Sequence, residues 1–143
     1  MKCSSPDTVA CASLQTLGGL VLSLTQKQHL IADALAYAEG THTVDDIVKM
    51  IVSGRLSWWP LENSFLITEI VLYPQTRHLN VFLAGGDLAE IKAQHDNLIE
   101  AARLAGCSAV TLSGRRGWVK ALRDIGWAES HTTMFTPVTS ATE

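Results

Sequence analysis

Two turns and one strand hold the residues whose types and spacing could do chemistry. Ser113-Gly114-Arg115-Arg116-Gly117 sets two cations in a glycine-bounded turn before the helical spacing of Trp118, Val119, Leu122 and Ile125. Backbone N–H groups exposed by such a turn, beside adjacent positive charge, can hold a phosphate or a carboxylate. The competing reading leaves Arg115 and Arg116 solvated or paired with nearby acids, because exposed charges contribute little. A second small-residue turn, Ala84-Gly85-Gly86-Asp87, leads into another helix, whose first N–H groups and positive dipole end suit an anion. Asp87 as N-cap would compete for those donors and repel the ligand. On a strand, Glu69 shares parity with Phe65, Ile67, Val71 and Tyr73. If that face meets a cleft, Glu69 can take a proton from a substrate; if it meets solvent, Glu69 is an ordinary surface acid.

Other chemistries find no support in the spacing. His29, His42, His78, His95 and His131 form no ligand pair at helical spacing beside acids, so no metal site is expected. The nucleophile pattern Gly-x-Ser-x-Gly is absent. Cys3, Cys11 and Cys107 show neither metal spacing nor an even framework, which suits a reducing compartment and leaves Cys107 to the core. A net charge of −3 disfavours nucleic acid as a partner, since duplex binding needs clustered cations. No apolar run approaches the ~20 residues that span a bilayer, so no membrane association is expected. The adjacent Trp58 and Trp59 must face opposite sides if extended, and an exposed Trp would mark a contact surface.

These residues need a scaffold, and the periodicity supplies one. Asp7 and the polar Ser4, Ser5, Gln15 and Thr16 interrupt what would otherwise pass for a secretion signal. Residues 1–24 therefore read as an N-terminal extension, and Gly18 and Gly19 weaken a helix there in favour of a first strand at Leu20–Leu24. Residues 25–143 read as one domain, because no Pro-rich, Ser-rich or charged linker divides them. Leu30, Ile31, Ala34, Leu35 and Ala38 make one helix face up to Gly40, and Thr43 caps a second helix carrying Val44, Ile47, Val48, Ile51 and Val52. Leu56–Trp59, Phe65–Tyr73 and Leu79–Leu83 give a three-stranded meander, with Pro60–Asn63 and Pro74–Thr76 as turns. Asp87 and Glu90 form a capping box for a helix that ends at Gly106; Cys107–Leu112 is then a buried strand, and Gly117–Ile125 a helix stopped by Gly126.

That order resembles the C-terminal half of the GCN5-related N-acetyltransferase (GNAT) family: a strand with a splayed loop, a helix, a strand, a shorter helix ending in Gly-aromatic, and a last strand. Here the parts are Arg77–Ala84, Ala84–Asp87, Asp87–Ala105, Cys107–Leu112, Gly117–Ile125 with Gly126–Trp127, and His131–Val138. More narrowly, GRRGWVKALRDIGW looks like a segment of small GNAT-like proteins encoded by tailed phages and prophages, some of them in virion gene clusters. The resemblance spans residues 25–138 and implies an α+β fold, a GNAT-like mixed, mostly antiparallel sheet flanked by helices in the order β-α-α-β-β-β-α-β-α-β.

For chemistry, the resemblance implies acetyl-CoA as cofactor, without a metal, and an amine as acyl acceptor. Cofactor binding would fall on Phe82, Ala84, Gly85, Gly86 and Asp87, with Arg115 and Arg116 as a further anion site. Glu69 would accept a proton through water, and Tyr73 would stand in for the acid that protonates the leaving thiolate. Two positions depart from the family. In its loop pattern Arg/Gln-x-x-Gly-x-Gly/Ala, matching Ala84 and Gly86 to the small positions puts Val81 where the Arg or Gln belongs, and Leu122 occupies the place of the usual Tyr acid. The resemblance is equally met by a non-catalytic GNAT-fold protein serving as a virion or internal structural component, or as an interaction module for viral structural proteins. The expected location is the cytoplasm of a bacterial host, or the virion.

Overall fold

The computed structural model describes residues 19–37, 40–114 and 117–138. They form an α+β fold, a four-stranded sheet in the order β1-β2-β3-β4 with a hydrophobic core and helices on each face. The first face carries α1 (residues 19–26), α2 (Gln28–Leu35) and α3 (Val44–Val52). α3 starts as its sequence requires: the Thr43 hydroxyl accepts from Asp46 N–H at 3.1 Å, and the Asp46 carboxylate accepts from Thr43 N–H at 2.9 Å.

The segment Leu20–Leu24 is helical, not the expected first strand. A strand would bring Leu20, Leu22 and Leu24 to one face. Instead Leu20 and Leu24, one helical turn apart, meet the core that Ile31, Ile47 and Phe65 fill, while Val21 and Leu22 are more than half exposed. Ser23 ties this helix to the sheet by accepting the Trp58 indole N–H at 2.9 Å.

In the sheet, β1 (Ser57–Pro60), β2 (Ser64–Leu72) and β3 (Arg77–Gly86) form the antiparallel meander, and β4 (Ala109–Leu112) pairs parallel with β3. Both faces of β2 are covered from Ser64 to Thr68, with Phe65 and Ile67 in one core and Leu66 in the other. Trp58 and Trp59 do take opposite faces, but neither is exposed: Trp58 stacks on Phe65, and the Trp59 indole donates to Thr68 Oγ1 at 3.0 Å.

The second face carries α4 (Leu88–Lys92) and α5 (His95–Leu104), where one helix was expected. The break at Ala93–Gln94 leaves Ile91, Leu98 and Ala102 buried together and puts Leu88 and Ile99 outside. Glu90 does not complete a capping box with Asp87. Its carboxylate accepts from the Asn63 backbone N–H at 2.9 Å and from the Ser64 hydroxyl, which pins the β1–β2 turn to α4. After β4 come α6 (Gly117–Leu122) and a 3-10 turn, Arg123–Ile125, stopped by Gly126 in the left-handed region at φ +95°.

Residues 127–138 have no regular structure, so the expected last strand at His131–Val138 does not form. In that segment one parity would hold His131, Thr133 and Phe135, and the other Thr132, Met134 and Thr136. Neither collects a continuous apolar face for a core to bury.

Candidate functional site

The site begins where β3 and β4 part. Their parallel register runs from His78↔Ala109 to Val81↔Leu112, and the last bond between them is Ser113 N–H to the Val81 carbonyl at 3.4 Å. β3 continues to Gly86, paired from there only with β2. At the same point β3 has a bulge: Ile67 opposes Leu83 and Thr68 opposes Val81, leaving Phe82 as the extra residue. The Phe82 ring meets His42, from the α2–α3 connection, edge to face at 5.1 Å.

The diverging strands leave a cleft of about 540 Å³. One wall is β3 from Phe82 to Gly86, the other is Ser113, Gly114 and Trp118, while α2 contributes Leu30 and Asp33 and the turn after it Tyr37. Along the first wall the strand edge has no ladder partner among the described residues, so backbone donors and acceptors face the cleft. The closing end is held by Gly86, at φ +109°, where a Cβ would lie 2.4 Å from the Asn63 carbonyl oxygen. On the second wall Trp118 lies so close over Gly114 that a Cβ there would be 2.8 Å from the indole Cδ1.

At the mouth of the fork a polar chain crosses three strands. Asn80, 8% exposed, donates from Nδ2 to Glu69 Oε2 at 2.9 Å, while its Oδ1 accepts from Thr111 Oγ1 at 2.8 Å and from Ser113 Oγ at 3.3 Å. Ser113 belongs both to this chain and to the cleft wall, so Glu69 is linked to the cleft through Asn80. Such a chain holds a carboxylate in one orientation while the rest of the face stays apolar.

The sequence candidates are therefore partly assembled. Phe82, Ala84, Gly85 and Gly86 line the cleft, and Glu69 stands one link away, on the face its parity assigned. Tyr73 follows the end of β2, half exposed against the His78 ring at 5.0 Å. It is four residues from Glu69, roughly 13 Å along an extended chain, and does not line the cleft. Asp87 does not offer an anion site. Its Oδ1 accepts from Ala89 N–H at 2.8 Å and Glu90 N–H at 3.4 Å, occupying the donors that a diphosphate would need. The exposed carboxylate of Asp33 adds a second negative group to the cleft. Arg115 and Arg116 lie outside the described residues. Leu122 is buried at 5% exposure, so no polar group stands where the resemblance would put an acid.

Asn80 and Thr111 are the residues that sequence reasoning missed, and Ser113 was read only as part of a turn. The signal for Asn80 was a polar side chain inside the apolar run Leu79-Asn80-Val81-Phe82-Leu83. Among the described residues no group of three His, Cys, Asp or Glu side chains is placed to hold a metal, and no helix is long and apolar enough to cross a membrane.

No family model matches this chain, and no curated protein sequence does either. Its fold does match solved structures. A probable acetyltransferase superposes with a TM-score of 0.59 at 11% identity, covering 82% of this chain and 93% of that one. An acetyltransferase of Trypanosoma brucei gives 0.58 at 12% identity, covering 81% and 93%. A tetramutant of the BH1408 protein from Bacillus halodurans gives 0.55 at 11%, covering 79% and 95%. At these identities the likeness shows the fold alone, an acetyltransferase-like α+β architecture.

Proposed function

We propose that this chain is a phage- or prophage-type GNAT protein that binds an acyl-CoA and acetylates an amine, with a cofactor loop that has lost its diphosphate cradle. The observation that supports this most is the unpaired edge of β3 from Phe82 to Gly86, facing a cleft beside the Glu69–Asn80 chain. Free strand-edge N–H and C=O groups suit an extended run of amides, and the pantetheine arm of an acyl-CoA is such a run. The start of α4 does not fit the diphosphate, because Asp87 caps it. In this reading the phosphates fall to Arg115 and Arg116, which follow Gly114 in the sequence.

Bound acetyl-CoA would supply the acyl group and a thiol leaving group. Phe82, Ala84, Gly85 and Gly86 would hold its arm by main-chain contacts. Glu69 would receive the amine's proton through a water, with its carboxylate kept in place by Asn80 Nδ2. Tyr73 is too far along β2 to serve the thiolate directly, so that proton would come from solvent.

A second reading, a non-catalytic virion component or interaction module in the host cytoplasm, is favoured by two observations: the capped start of α4 and the buried Leu122 in place of an acid. Calorimetric titration separates the two. Saturable micromolar binding of acetyl-CoA and CoA, with ADP silent, supports the first; no binding at millimolar ligand removes it. In the first case Glu69→Gln should lower kcat by about a hundredfold or more, the usual scale of general-base loss, with CoA affinity unchanged. In the second case mass spectrometry of purified particles should recover the protein at fixed stoichiometry.

A further inference from the structure

We propose that the acyl acceptor for this cleft is a short aliphatic diamine, one nitrogen reacting at the Phe82 end while the other, as an ammonium, is held by Asp33 and the Tyr37 ring. The acceptor role rests on the acetyltransferase reading, whereas the ammonium site stands on the chemistry of the cleft.

The charged side chain that lines the cleft is an acid. Asp33 is exposed and makes no ion pair among the described residues, and no lysine or arginine of those residues lines the cleft with it. Lys27, just before α2, is engaged elsewhere, its Nζ donating to the Glu62 carbonyl at 3.1 Å. Ile31 is fully buried, so α2 presents Asp33 from a fixed helix. Tyr37 N–H donates to the Ala34 carbonyl at 3.2 Å, which continues the helical path past the end of α2. Residues four apart on such a path have Cβ atoms about 5–6 Å from each other, so one small cation can reach both the Asp33 carboxylate and the 63%-exposed Tyr37 ring. A carboxylate beside an aromatic face suits an ammonium, which takes a charge-assisted hydrogen bond from the first and quadrupole attraction from the second.

The spacing sets the length of the ligand. The Leu30 carbonyl lies 3.5 Å from where a Cβ on Gly85 would stand, and the chain beyond α2 reaches Phe82 through His42, so α2 runs from the closing end of the cleft toward the fork. Asp33 is three residues past Leu30, about 4.5 Å along the helix. Phe82 is three residues before Gly85, about 10 Å along the strand. The carboxylate therefore stands some 5–6 Å short of the Phe82 end, a separation that a short alkyl chain between two nitrogens bridges. The reaction is that of the proposed transferase: the attacking nitrogen forms the amide as the C–S bond breaks, its proton leaves through water to Glu69, and the thiolate takes one from solvent. The second nitrogen stays protonated throughout.

Calorimetric titration of the full chain without cofactor, with diaminobutane against butylamine, tests the ammonium site. Diaminobutane should bind at least about fivefold more tightly, the scale of one partly exposed ion pair with an aromatic neighbour. Asp33→Asn, which changes an exposed helix side chain to one of the same shape, should bring that ratio below about twofold, and Tyr37→Leu should lower it part of the way. With acetyl-CoA present the same preference should appear in kcat/KM, and mass spectrometry should find the monoacetylated diamine accumulating, because acetylation leaves no second ammonium for Asp33. Equal binding of the two amines, a preference that survives Asp33→Asn, or a second acetylation as fast as the first overturns the proposal. A diamine preference lost in Asp33→Asn while acetyl-CoA fails to bind would confirm the ammonium site and overturn the acceptor role together with the acetyltransferase reading.

Discussion

The two halves of β3 share one backbone and serve opposite ends. From Arg77 to Val81 the strand is paired on both sides, and Leu79, Asn80 and Val81 are buried. From Phe82 to Gly86 it is paired on one side, half-buried or exposed, and small from Ala84 onward. The change occurs at a single extra residue, Phe82, where the β2 register slips and β4 ends. The first half fixes the geometry with side chains, and the second presents main-chain groups. A strand can do both only because Ala84, Gly85 and Gly86 leave its edge uncovered by side chains of their own.

The largest expected effect breaks the open half. Gly86→Val puts a β-branched side chain at φ +109° and against the Asn63 carbonyl oxygen and the Cα and Cβ of Ser64, none of which can swing away without moving the backbone. The combined strain and clash should cost about 3–4 kcal/mol in urea unfolding. A loss below ~1 kcal/mol would mean that the turn relaxes and that the closing of the cleft does not depend on glycine. The paired half is tested by Asn80→Ala, which removes the donor to Glu69 and the acceptor for the Thr111 and Ser113 hydroxyls. Leaving those partners unsatisfied should cost about 2 kcal/mol. It should also free Ser113 on the cleft wall, so any CoA affinity that survives Gly86→Val unchanged yet falls with Asn80→Ala would move the critical contact from the open edge to the fork.

The same contrast explains what could be read from the residues. Caps and stops are local, so Thr43 and Gly126 were legible and stand where expected. The parity of Glu69 with Phe65 and Ile67 was legible because β2 alternates without interruption on that face. β3 was not, because a bulge shifts parity: simple alternation puts Asn80 and Ala84 on one face, whereas Asn80 opposes Glu69 and Ala84 opposes Leu66, on opposite faces. Only pairing reveals this. The run Leu20-Val21-Leu22-Ser23-Leu24 is too short and too apolar for periodicity to separate helix from strand. The final segment failed for another reason, since neither parity of His131–Val138 gathers a continuous apolar face for a core to bury.

The second wall of the cleft is held more lightly than the first, and a smaller change should show it. Gly114→Ala brings a Cβ within 2.8 Å of Trp118 Cδ1, a side chain on a short helix that can shift. About 1 kcal/mol of destabilisation is expected, as for other added methyl groups in tight contacts, with a change in Trp118 fluorescence that Gly86→Val does not produce.

The smallest effect concerns what steadies that wall from behind. α6, which carries Trp118, continues into the turn holding Asp124, whose carboxylate accepts from Lys92 Nζ of α4 at 2.9 Å. That hydrogen bond, reinforced by the lysine charge, keeps the Asp124 carboxyl below its usual value of 3.8. A carboxyl depressed in the folded state stabilises the fold above its unfolded pKa, and the contribution disappears as pH falls through the folded value. Asp124→Asn should therefore lower Tm slightly at pH 7, and the gap from the parent should close below about pH 4. Because both partners reach solvent, salt should shrink the gap as well. A gap that instead persists into acid would mean that α6 is fixed by the packing of Leu122 and Trp118, making the second wall as firmly set as the first.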